Sequence, residues 1–473
     1  MSKEAKNIVK TYMPFTLPVD PANVRTLVDL DLSYALGTTL VGWSQTRELV
    51  SGLAESWTVS GEKEITFKLS AAAKWSDGSP LTAEQAVKSL LRAKAVHGDS
   101  LKTLYDHVES IEAKDANTLV FKLNVPAATS GVVRKLTEPM YAIVLVKNGN
   151  ALDLTKTTGP FTLKSVSDAE IELAQNKLWI SHQPNLPTVV QIRRPPSGEE
   201  LQESFLKDSW ANLLGSSSLI SVDTNEKFKK ARYQVWHRNL DKVFFFAPGP
   251  RLTNEDGRAL FQAMQQNLNR SDITKGLSGF HLTEQFFPQG YVLFDPEFRK
   301  SKSNVKVPEA LRRKPLEILA AESRMSEILQ RNIKSTIKVL TGVEPIFKLV
   351  SLAEFEKTRA AGKYDIVAGS LPVNDPNVEG AMGFFFGLTP PIIPNAGDGP
   401  KDFQARVKKA RLLSDHLERN LEYRRIFTAA AQEGTLFPIF HYSTVVIAKD
   451  GIDLSQVPTT DETVAFSKVR FKR

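Results

Sequence analysis

The sequence has no cysteine among its 473 residues. This absence excludes disulfide bonds, catalytic thiolates and cysteine-ligated zinc, and it is compatible with export to an oxidising compartment. Long apolar runs are also missing, because the longest, such as 243–250, falls far short of the roughly 20 residues that cross a membrane. A chain of this length, 41% hydrophobic and 24% charged, is expected to form two or three globular domains.

Motifs for catalysis and for cofactor binding are absent as well. There is no GxxxxGK(S/T) or GxGxxG phosphate-binding loop, and Gly276–Phe280 lacks the closing glycine of a nucleophile elbow. The histidines are dispersed, without HExxH or HxH spacing, at positions 97, 107, 182, 237, 281, 416 and 441. We therefore predict no catalytic residues, no metal site and no cofactor. This pattern is typical of a binding protein, which needs a cleft, a hinge and a few polar anchors.

Positive charge is in excess, with a formal net charge of +8, but basic and acidic residues are interleaved throughout. No basic run alternates with aromatic residues as a nucleic-acid-binding groove requires, so we predict no nucleic-acid partner. Residues 1–10 are charged and lack the apolar core of a signal peptide. Two interpretations remain at this point. The protein is cytoplasmic, or it is periplasmic or otherwise extracytoplasmic, with or without a lipid anchor, and its signal peptide lies outside this sequence.

The stretch 53–93 carries clear local signals. Apolar and polar residues alternate over 65–69, which predicts a half-buried strand. Asp77–Gly78 then predicts a turn. Thr82 stands three residues before Gln85, the spacing of a capping box, so a helix is expected to begin there.

The same stretch carries a family resemblance. Leu53–Trp57, followed by a strand and then by the sequence KWSDGSPLTAE at 74–84, resembles the signature of family 5 of the extracytoplasmic solute-binding proteins. This class binds oligopeptides, dipeptides or nickel for ABC importers. Thr157–Leu163 is similar to the family's Gly-Thr-Gly-Pro-Tyr pattern, with a threonine in place of the first glycine. Further segments that resemble the family are 176–187, 258–270, 419–423 and 436–442.

The resemblance implies an α/β fold, namely the two-lobed periplasmic-binding-protein fold of class II and cluster C type. An extra subdomain in the first lobe and a hinge between the lobes are expected. The expected ranges are 1–40, 150–243 and 437–473 for lobe one, 41–149 for its subdomain, and 244–436 for lobe two. The hinge is expected near Val243–Pro248 and Leu436–Tyr442, where the chain would pass between the lobes.

The residues of lobe two indicate its architecture independently. Strand and helix patterns alternate, with strands at 316–320, 346–350 and 364–368 and helices at 325–340 and 352–361. This order, with short connections, predicts a parallel sheet covered by helices. Residues 369–400, which contain Phe384–Phe386, leave the carboxyl end of a parallel strand, where open α/β sheets bind ligands. We interpret this segment as a wall of the binding cleft, and we predict that 403–431 is helical.

The resemblance further implies the substrate-binding component of an ABC importer, and with it the periplasmic or extracytoplasmic location, with or without a lipid anchor. Such a protein, expected to be a monomer, captures a peptide-like solute between its lobes and delivers it to transmembrane permease subunits. The candidate cargo contacts are Trp43, Tyr105, Ser370, Asn374, Asp375, Phe440, His441 and Tyr442. Other cargoes of the same fold stay open, namely chelated nickel, a sugar or an opine. A ligand-sensing domain of a regulator is a further alternative, whereas a hydrolase is disfavoured by the missing motifs.

One departure from the family pattern concerns the cargo. In members that bind peptides by the free amino end, an aspartate three residues before an Asp-Pro pair binds the ammonium group of the cargo. Here Asp375–Pro376 matches the Asp-Pro pair, and Pro372 occupies the place of that aspartate. Because proline carries no charge, we expect either that Asp375 substitutes for it or that the cargo has no free ammonium group at that point.

Overall fold

The computed structural model describes the chain except at residues 1–6, 14, 16, 25–26, 45–47, 98–107, 125–128, 195–200, 208–209, 217–221, 300–304, 313, 374–381, 384, 389, 414, 458–463 and 473. The chain forms two compact units, each built from more than one segment. Unit 1 comprises Met1–Gly215, Phe228–Trp236 and Val446–Arg473, and unit 2 comprises Ser216–Lys227 and His237–Val445. Two of the passages between units, at 236–237 and 445–446, lie close to the predicted lobe boundaries at 243–244 and 436–437. The assignment of lobes stays a prediction.

The first part of the chain contains most of unit 1. Its strands are β1 Ile8–Tyr12, β2 Val41–Trp43, β3 Leu49–Ser51, β4 Ala54–Ser60, β5 Glu64–Leu69, β6 Val108–Ala113, β7 Thr118–Leu123, β8 Val144–Val146, β9 Leu152–Thr157, β10 Phe161–Val166, β11 Glu170–Gln175, β12 Val189–Arg193 and β13 Leu213–Ser216. Its helices are α1 Leu27–Leu36, α2 Ala83–His97, α3 Thr129–Lys135 and α4 Leu201–Lys207.

The second part contains most of unit 2. Its strands are β14 Gln234–Pro248, β15 Phe280–Leu282, β16 Glu317–Ala321, β17 Ile346–Val350, β18 Ile366–Pro372, β19 Phe437–Ala448, β20 Ile452–Asp453 and β21 Arg470–Phe471. Its helices are α5 Val222–Lys230, α6 Glu255–Asn267, α7 Arg270–Ile273, α8 Glu327–Thr341, α9 Leu352–Ala360, α10 Phe403–Ala410 and α11 His416–Gln432. Among the described residues, no helix combines the length and the apolar character needed to span a membrane.

Unit 1 contains two four-stranded sheets. One has the order β1-β12-β11-β10, with β1 parallel to β12 and the other neighbours antiparallel. The other has the order β4-β5-β7-β6 and is antiparallel throughout. Ile65, Phe67 and Leu69 of β5 are buried in its core, and the Phe67 and Phe121 ring centroids lie 5.3 Å apart. The alternation predicted for 65–69 is confirmed.

The signature segment after β5 is held together by its own side chains. The Gln85 backbone N–H donates to Thr82 Oγ1 over 3.3 Å, and the Thr82 backbone N–H donates to Gln85 Oε1 over 3.1 Å, so the predicted capping box begins α2. Gln85 Oε1 also accepts a 2.9 Å hydrogen bond from Nε1 of the fully buried Trp75. An ion pair of 2.7 Å joins Asp77 of the turn to Lys156. The signature residues therefore bond mainly to one another.

The segment around Gly159 contacts the signature segment. The Ser76 backbone N–H donates to the Thr157 carbonyl over 2.9 Å, and the Thr157 N–H donates to Ser76 Oγ over 3.2 Å. The buried Thr157 hydroxyl donates to the Phe161 carbonyl over 2.6 Å, which accommodates the threonine that stands in the family's glycine position. A Cβ at position 159 would lie 2.5 Å from the Gly37 backbone nitrogen, so only glycine permits this close approach.

In unit 2 the strands lie in the order β19-β14-β18-β16-β17, and β15 pairs with β19. β16 is parallel to both β17 and β18, which confirms the predicted parallel sheet, whereas β14 is antiparallel to β18. The carboxyl ends of β16, β17 and β18 therefore meet at one edge, which we call the carboxyl edge. Apolar clusters cover both faces, with Phe244 and Phe246 of β14 in one cluster and Val243 and Phe245 in the other.

Capping residues set the helix boundaries of unit 2. Asn254 begins α6 because its side chain accepts a 2.9 Å hydrogen bond from the Gly257 N–H. Ser351 caps α9 in the same manner. Gly342 ends α8 in the left-handed conformation, at a φ of 88°, which a glycine adopts without steric cost.

Two findings refine the expectations for the second half of unit 2. The region 403–431, predicted to be helical, forms two helices, α10 and α11. Asp415 accepts a 2.8 Å hydrogen bond from the Glu418 N–H and so begins a second helix after a break. In addition, Phe385 and Phe386 are buried in the core of unit 2, so these two side chains are not available to the wall of a cleft.

Candidate functional site at the carboxyl edge of unit 2

A polar cluster lies at the carboxyl edge of unit 2. The strand β16 is followed directly by a short 3-10 helix, Glu322–Arg324, which brings Arg324 beside the end of β18. The Arg324 guanidinium donates through Nη1 to the carbonyl oxygen of Ser370. The Ser370 hydroxyl is in turn hydrogen-bonded to the Tyr442 hydroxyl from β19. The sheet thereby joins three residues that are distant in sequence, and we call them the carboxyl-edge cluster.

The cluster combines buried neutral groups with an exposed cation. Ser370 and Tyr442 have exposed fractions of 4% and 5%, whereas Arg324 is exposed. Protein atoms crowd the Arg324 guanidinium although the residue keeps contact with solvent. This desolvation lowers its pKa, and the nearby Tyr442 hydroxyl opposes the shift.

Arginine remains charged at neutral pH because its ordinary pKa is above about 12. No acidic side chain among the described residues pairs with Arg324. Its one hydrogen bond to a described group goes to the neutral Ser370 carbonyl, although a guanidinium has about five N–H donors. The cluster therefore presents a cation with donors to spare at the edge where α/β sheets bind ligands.

Alternation along β19 separates its three predicted site residues. Phe440 and Tyr442 point into the same apolar cluster, where the Phe440 ring stacks on Phe244 at 5.0 Å between centroids. Phe440 is fully buried, so it supports Tyr442 from within the core. His441 points to the opposite face, and its Nε2 lies 3.0 Å from the Phe286 carbonyl oxygen.

His441 is buried away from the cluster. Desolvation lowers its pKa to about 4, His281 on the paired strand contributes in the same direction, and the hydrogen bond to the Phe286 carbonyl opposes it. The imidazole is therefore neutral at physiological pH. Its role in this arrangement is to satisfy a backbone carbonyl inside unit 2.

The other predicted site residues lie elsewhere. Trp43 belongs to the β2–β3 hairpin of unit 1, where it is half-buried and pairs with Leu49. Tyr105, Asn374 and Asp375 lie outside the described residues. Pro372 ends β18 at the carboxyl edge, two residues beyond Ser370 of the cluster. Within the described part of the chain, no group of three or more histidine and carboxylate side chains is close enough to hold a metal ion.

Arg324 is the residue that sequence reasoning did not select. The signal was present, because Arg324 follows the predicted strand 316–320 and the carboxyl ends of parallel strands form ligand sites. A search for charged residues directly after each predicted parallel strand would have found it. The contact with Ser370 and Tyr442 could not be found in this way, since it depends on the order of the strands.

Comparison with known proteins identifies the family. A family model described as "Bacterial extracellular solute-binding proteins, family 5 Middle" matches residues 48–390, well over half of the chain. The chain belongs to this family. One curated relative of this family 5 protein, from Brucella ovis and by name an ABC transporter peptide-binding protein, is 29% identical over 200 residues. The match spans 38% of the length of each chain.

Solved structures resemble the family 5 protein over nearly its whole length. The murein tripeptide-binding protein MppA of Escherichia coli has a TM-score of 0.75 at 17% identity, covering 99% of both chains. NikA of Brucella suis, in complex with Fe(III)-EDTA, has a TM-score of 0.79 at 15% identity, covering 98% of this chain and 100% of the other. At these identities the likeness concerns the fold. The predicted two-lobed periplasmic-binding-protein fold is confirmed.

Proposed function

We propose that this protein is the substrate-binding component of an ABC importer, and that it captures a peptide-like solute for transmembrane permease subunits. The observation that carries the proposal is Arg324, a cation without an acidic partner among the described residues, at the carboxyl edge of unit 2. A peptide ends in a carboxylate, which suits such a cation. Membership of family 5 and the peptide-binding name of the Brucella ovis relative support the same cargo class.

Arg324 is the proposed anchor for the cargo carboxylate. A guanidinium binds a carboxylate through two parallel hydrogen bonds, which are shorter and stronger than neutral ones. Ser326, two residues further on, caps the amino end of the 15-residue helix α8, whose dipole adds positive potential nearby. Ser370 holds the other side of the guanidinium, so the anchor is positioned before cargo arrives. No residue is assigned a catalytic role.

Calorimetry with trialanine and with its C-terminal amide tests the anchor. A hydrogen bond to a charged group contributes about 1.5 to 3 kcal/mol, so wild type should prefer the free acid by about tenfold to a hundredfold. Arg324→Met should lose this preference. The matched control is Arg251→Met, which removes an exposed arginine that pairs with Glu317 at the amino end of the same sheet and should leave the preference intact.

Two results would contradict the anchor. One is binding of acid and amide with equal affinity by wild type. The other is a preference for the acid that survives Arg324→Met. A folded protein that binds neither peptide, but binds another solute, would overturn the peptide assignment and leave the transport assignment standing.

The proposed mechanism includes closure of two lobes about a hinge, and a site of action outside the cytoplasmic membrane, with or without a lipid anchor. The chain passes between its compact units at several points, including 236–237 and 445–446, and hinges absorb motion at such element ends. We expect small-angle scattering to give a smaller radius of gyration at saturating cargo than without cargo. An unchanged profile at saturation would contradict closure.

An anionic metal chelate is a second candidate cargo. The solved structure of NikA from Brucella suis contains Fe(III)-EDTA, a ligand rich in carboxylates, and its fold matches this chain with a TM-score of 0.79. Arg324 is equally suited to a chelate carboxylate. The same calorimetry with Fe(III)-EDTA in place of trialanine separates the two candidates, since the favoured cargo class is the one that wild type binds and Arg324→Met does not.

A further inference from the structure

A small cavity lies beside Arg324 within unit 2. Its volume is about 30 Å³. The floor is formed by the buried side chains of Phe245, Val367 and Ile392. The mouth is formed by the exposed Arg324 and the half-exposed Phe355 and Leu371. The cavity therefore opens on the side where the proposed anchor stands.

Gly369 lines this cavity and leaves room for the Phe245 ring. It lies in the interior of β18, directly opposite Phe245 on β14, and it is half-exposed. A Cβ at position 369 would lie 2.7 Å from Cζ of Phe245, so a larger residue would push into the ring. A glycine in a strand interior weakens the strand and often marks a place where a ligand approaches closely.

The size and the walls of the cavity decide what it can hold. An apolar cavity of about 150 Å³ accepts benzene, so one about a fifth of that size excludes rings and branched side chains. A buried water needs about two to four polar partners, which the carbon-lined floor of Phe245, Val367 and Ile392 does not supply. The space therefore suits a methyl group.

We propose that this cavity is a specificity pocket that receives a methyl-sized apolar group of the cargo, next to the anionic group held by Arg324. This inference rests on the proposed function. A cargo that ends in alanine would place its carboxylate on the guanidinium and its methyl group in the cavity. Cargo ending in glycine would leave the cavity empty, and cargo ending in a large side chain would collide with Phe355 or Leu371 at the mouth.

Calorimetry with three peptides that differ only in the last residue tests the pocket: Ala-Ala-Gly, Ala-Ala-Ala and Ala-Ala-Phe. Burial of one methyl group changes affinity by about fourfold, so wild type should bind the alanine peptide about fourfold more tightly than the glycine peptide. The phenylalanine peptide should bind at least about tenfold more weakly than the alanine peptide.

Two variants reshape the pocket in opposite directions. Phe355→Ala widens the mouth and should raise the affinity for the phenylalanine peptide relative to the alanine peptide. Val367→Ile adds a methyl group to the floor of the cavity and should abolish the advantage of alanine over glycine. Phe347→Ala is the matched control, because Phe347 is a half-buried phenylalanine of β17 that packs on the other apolar cluster, and it should keep the wild-type order.

The outcomes separate this inference from the proposed function. Binding of all three peptides with equal affinity overturns the pocket and leaves the peptide assignment intact. The pocket proposal is also wrong if a folded Phe355→Ala variant binds the three peptides in the same order of affinity as wild type does. If the protein binds none of the three peptides, both the peptide assignment and the pocket proposal are wrong. If affinity decreases in the order alanine, glycine, phenylalanine, and only the two pocket variants alter this order, both are supported.

Discussion

Two polar networks, one in each unit, hold a buried aromatic residue by a hydrogen bond. In unit 1, Trp75 donates to Gln85, which also caps α2. In unit 2, Tyr442 bonds to Ser370, which also accepts from Arg324. The first network is neutral and joins residues within ten positions of one another. The second contains a cation and joins residues from three separate segments of unit 2.

This difference indicates that the first network contributes to stability and the second to cargo binding. In the network of unit 1, each hydrogen bond joins residues that are close in sequence, and it therefore stabilises the turn and the start of α2. In the carboxyl-edge cluster the charge on Arg324 is held by a neutral carbonyl and has no acidic partner among the described residues. We expect substitutions in the first network to change the free energy of unfolding, and substitutions in the second to change the affinity for cargo.

Trp75→Ala should give the largest loss of stability. Trp75 is fully buried in the core of unit 1, and truncation of a buried aromatic residue costs about 3 to 5 kcal/mol. Cargo affinity of the folded fraction should stay at the wild-type value. Chemical denaturation followed by calorimetry measures both quantities.

The control is Val59→Ala in β4, a strand of the sheet that packs on the core around Trp75, where the Val59 side chain is about half-exposed. It should change the free energy of unfolding by less than about 0.5 kcal/mol. If Trp75→Ala weakens cargo binding as strongly as Arg324→Met does, the expectation that the network of unit 1 affects stability and not cargo affinity is wrong.

A smaller effect should appear as a pH dependence of the free energy of unfolding, caused by His441 of unit 2. The pKa of His441 is lowered to about 4 in the folded protein, while an unfolded histidine titrates near about 6.5. Between these values the unfolded chain binds a proton and the folded chain does not. Stability is therefore full above pH 6.5 and falls as the pH is lowered towards 4, by up to about 3 kcal/mol.

Denaturant titrations between pH 7 and pH 4 measure this loss in wild type and in His441→Gln. Glutamine can still donate to the Phe286 carbonyl but cannot take up a proton, so the variant should lose less stability across this range. His182→Gln, at an exposed position in unit 1, is the control and should behave like wild type. An identical pH profile for His441→Gln and wild type would exclude His441 as the source.

The local features of this protein could be predicted because their partners are near in sequence. Thr82 and Gln85, three residues apart, define a capping box on their own, and Ser351 caps α9 by accepting from the Glu354 N–H three residues on. The parallel sheet of unit 2 also followed from the order of strands and helices. The contact of Ser370 with Tyr442 could not be predicted, because it depends on which strands are neighbours.

The burial of Phe385 and Phe386 could not be predicted from the sequence either. Phe385 and Phe386 lie within a segment, 369–400, that contains several prolines and glycines and therefore suggests an exposed loop. They nevertheless pack among buried aromatic rings of unit 2, and the ring centroids of Phe385 and Phe427 lie 5.5 Å apart. Apolar burial decides such positions, and it depends on residues far along the chain. The roles proposed for Trp43, Tyr105, Asn374 and Asp375 remain predictions.

The core of unit 1 has a consequence for the order of folding during synthesis. Val9 and Ile192 pack in one cluster with Val446, Ala448 and Val469. A domain near the amino terminus ordinarily folds first as the chain leaves the ribosome. Here that core stays incomplete until Val446–Arg473 has emerged, whereas every segment of unit 2 precedes this stretch. The unit that is synthesised first is therefore the one that is completed last.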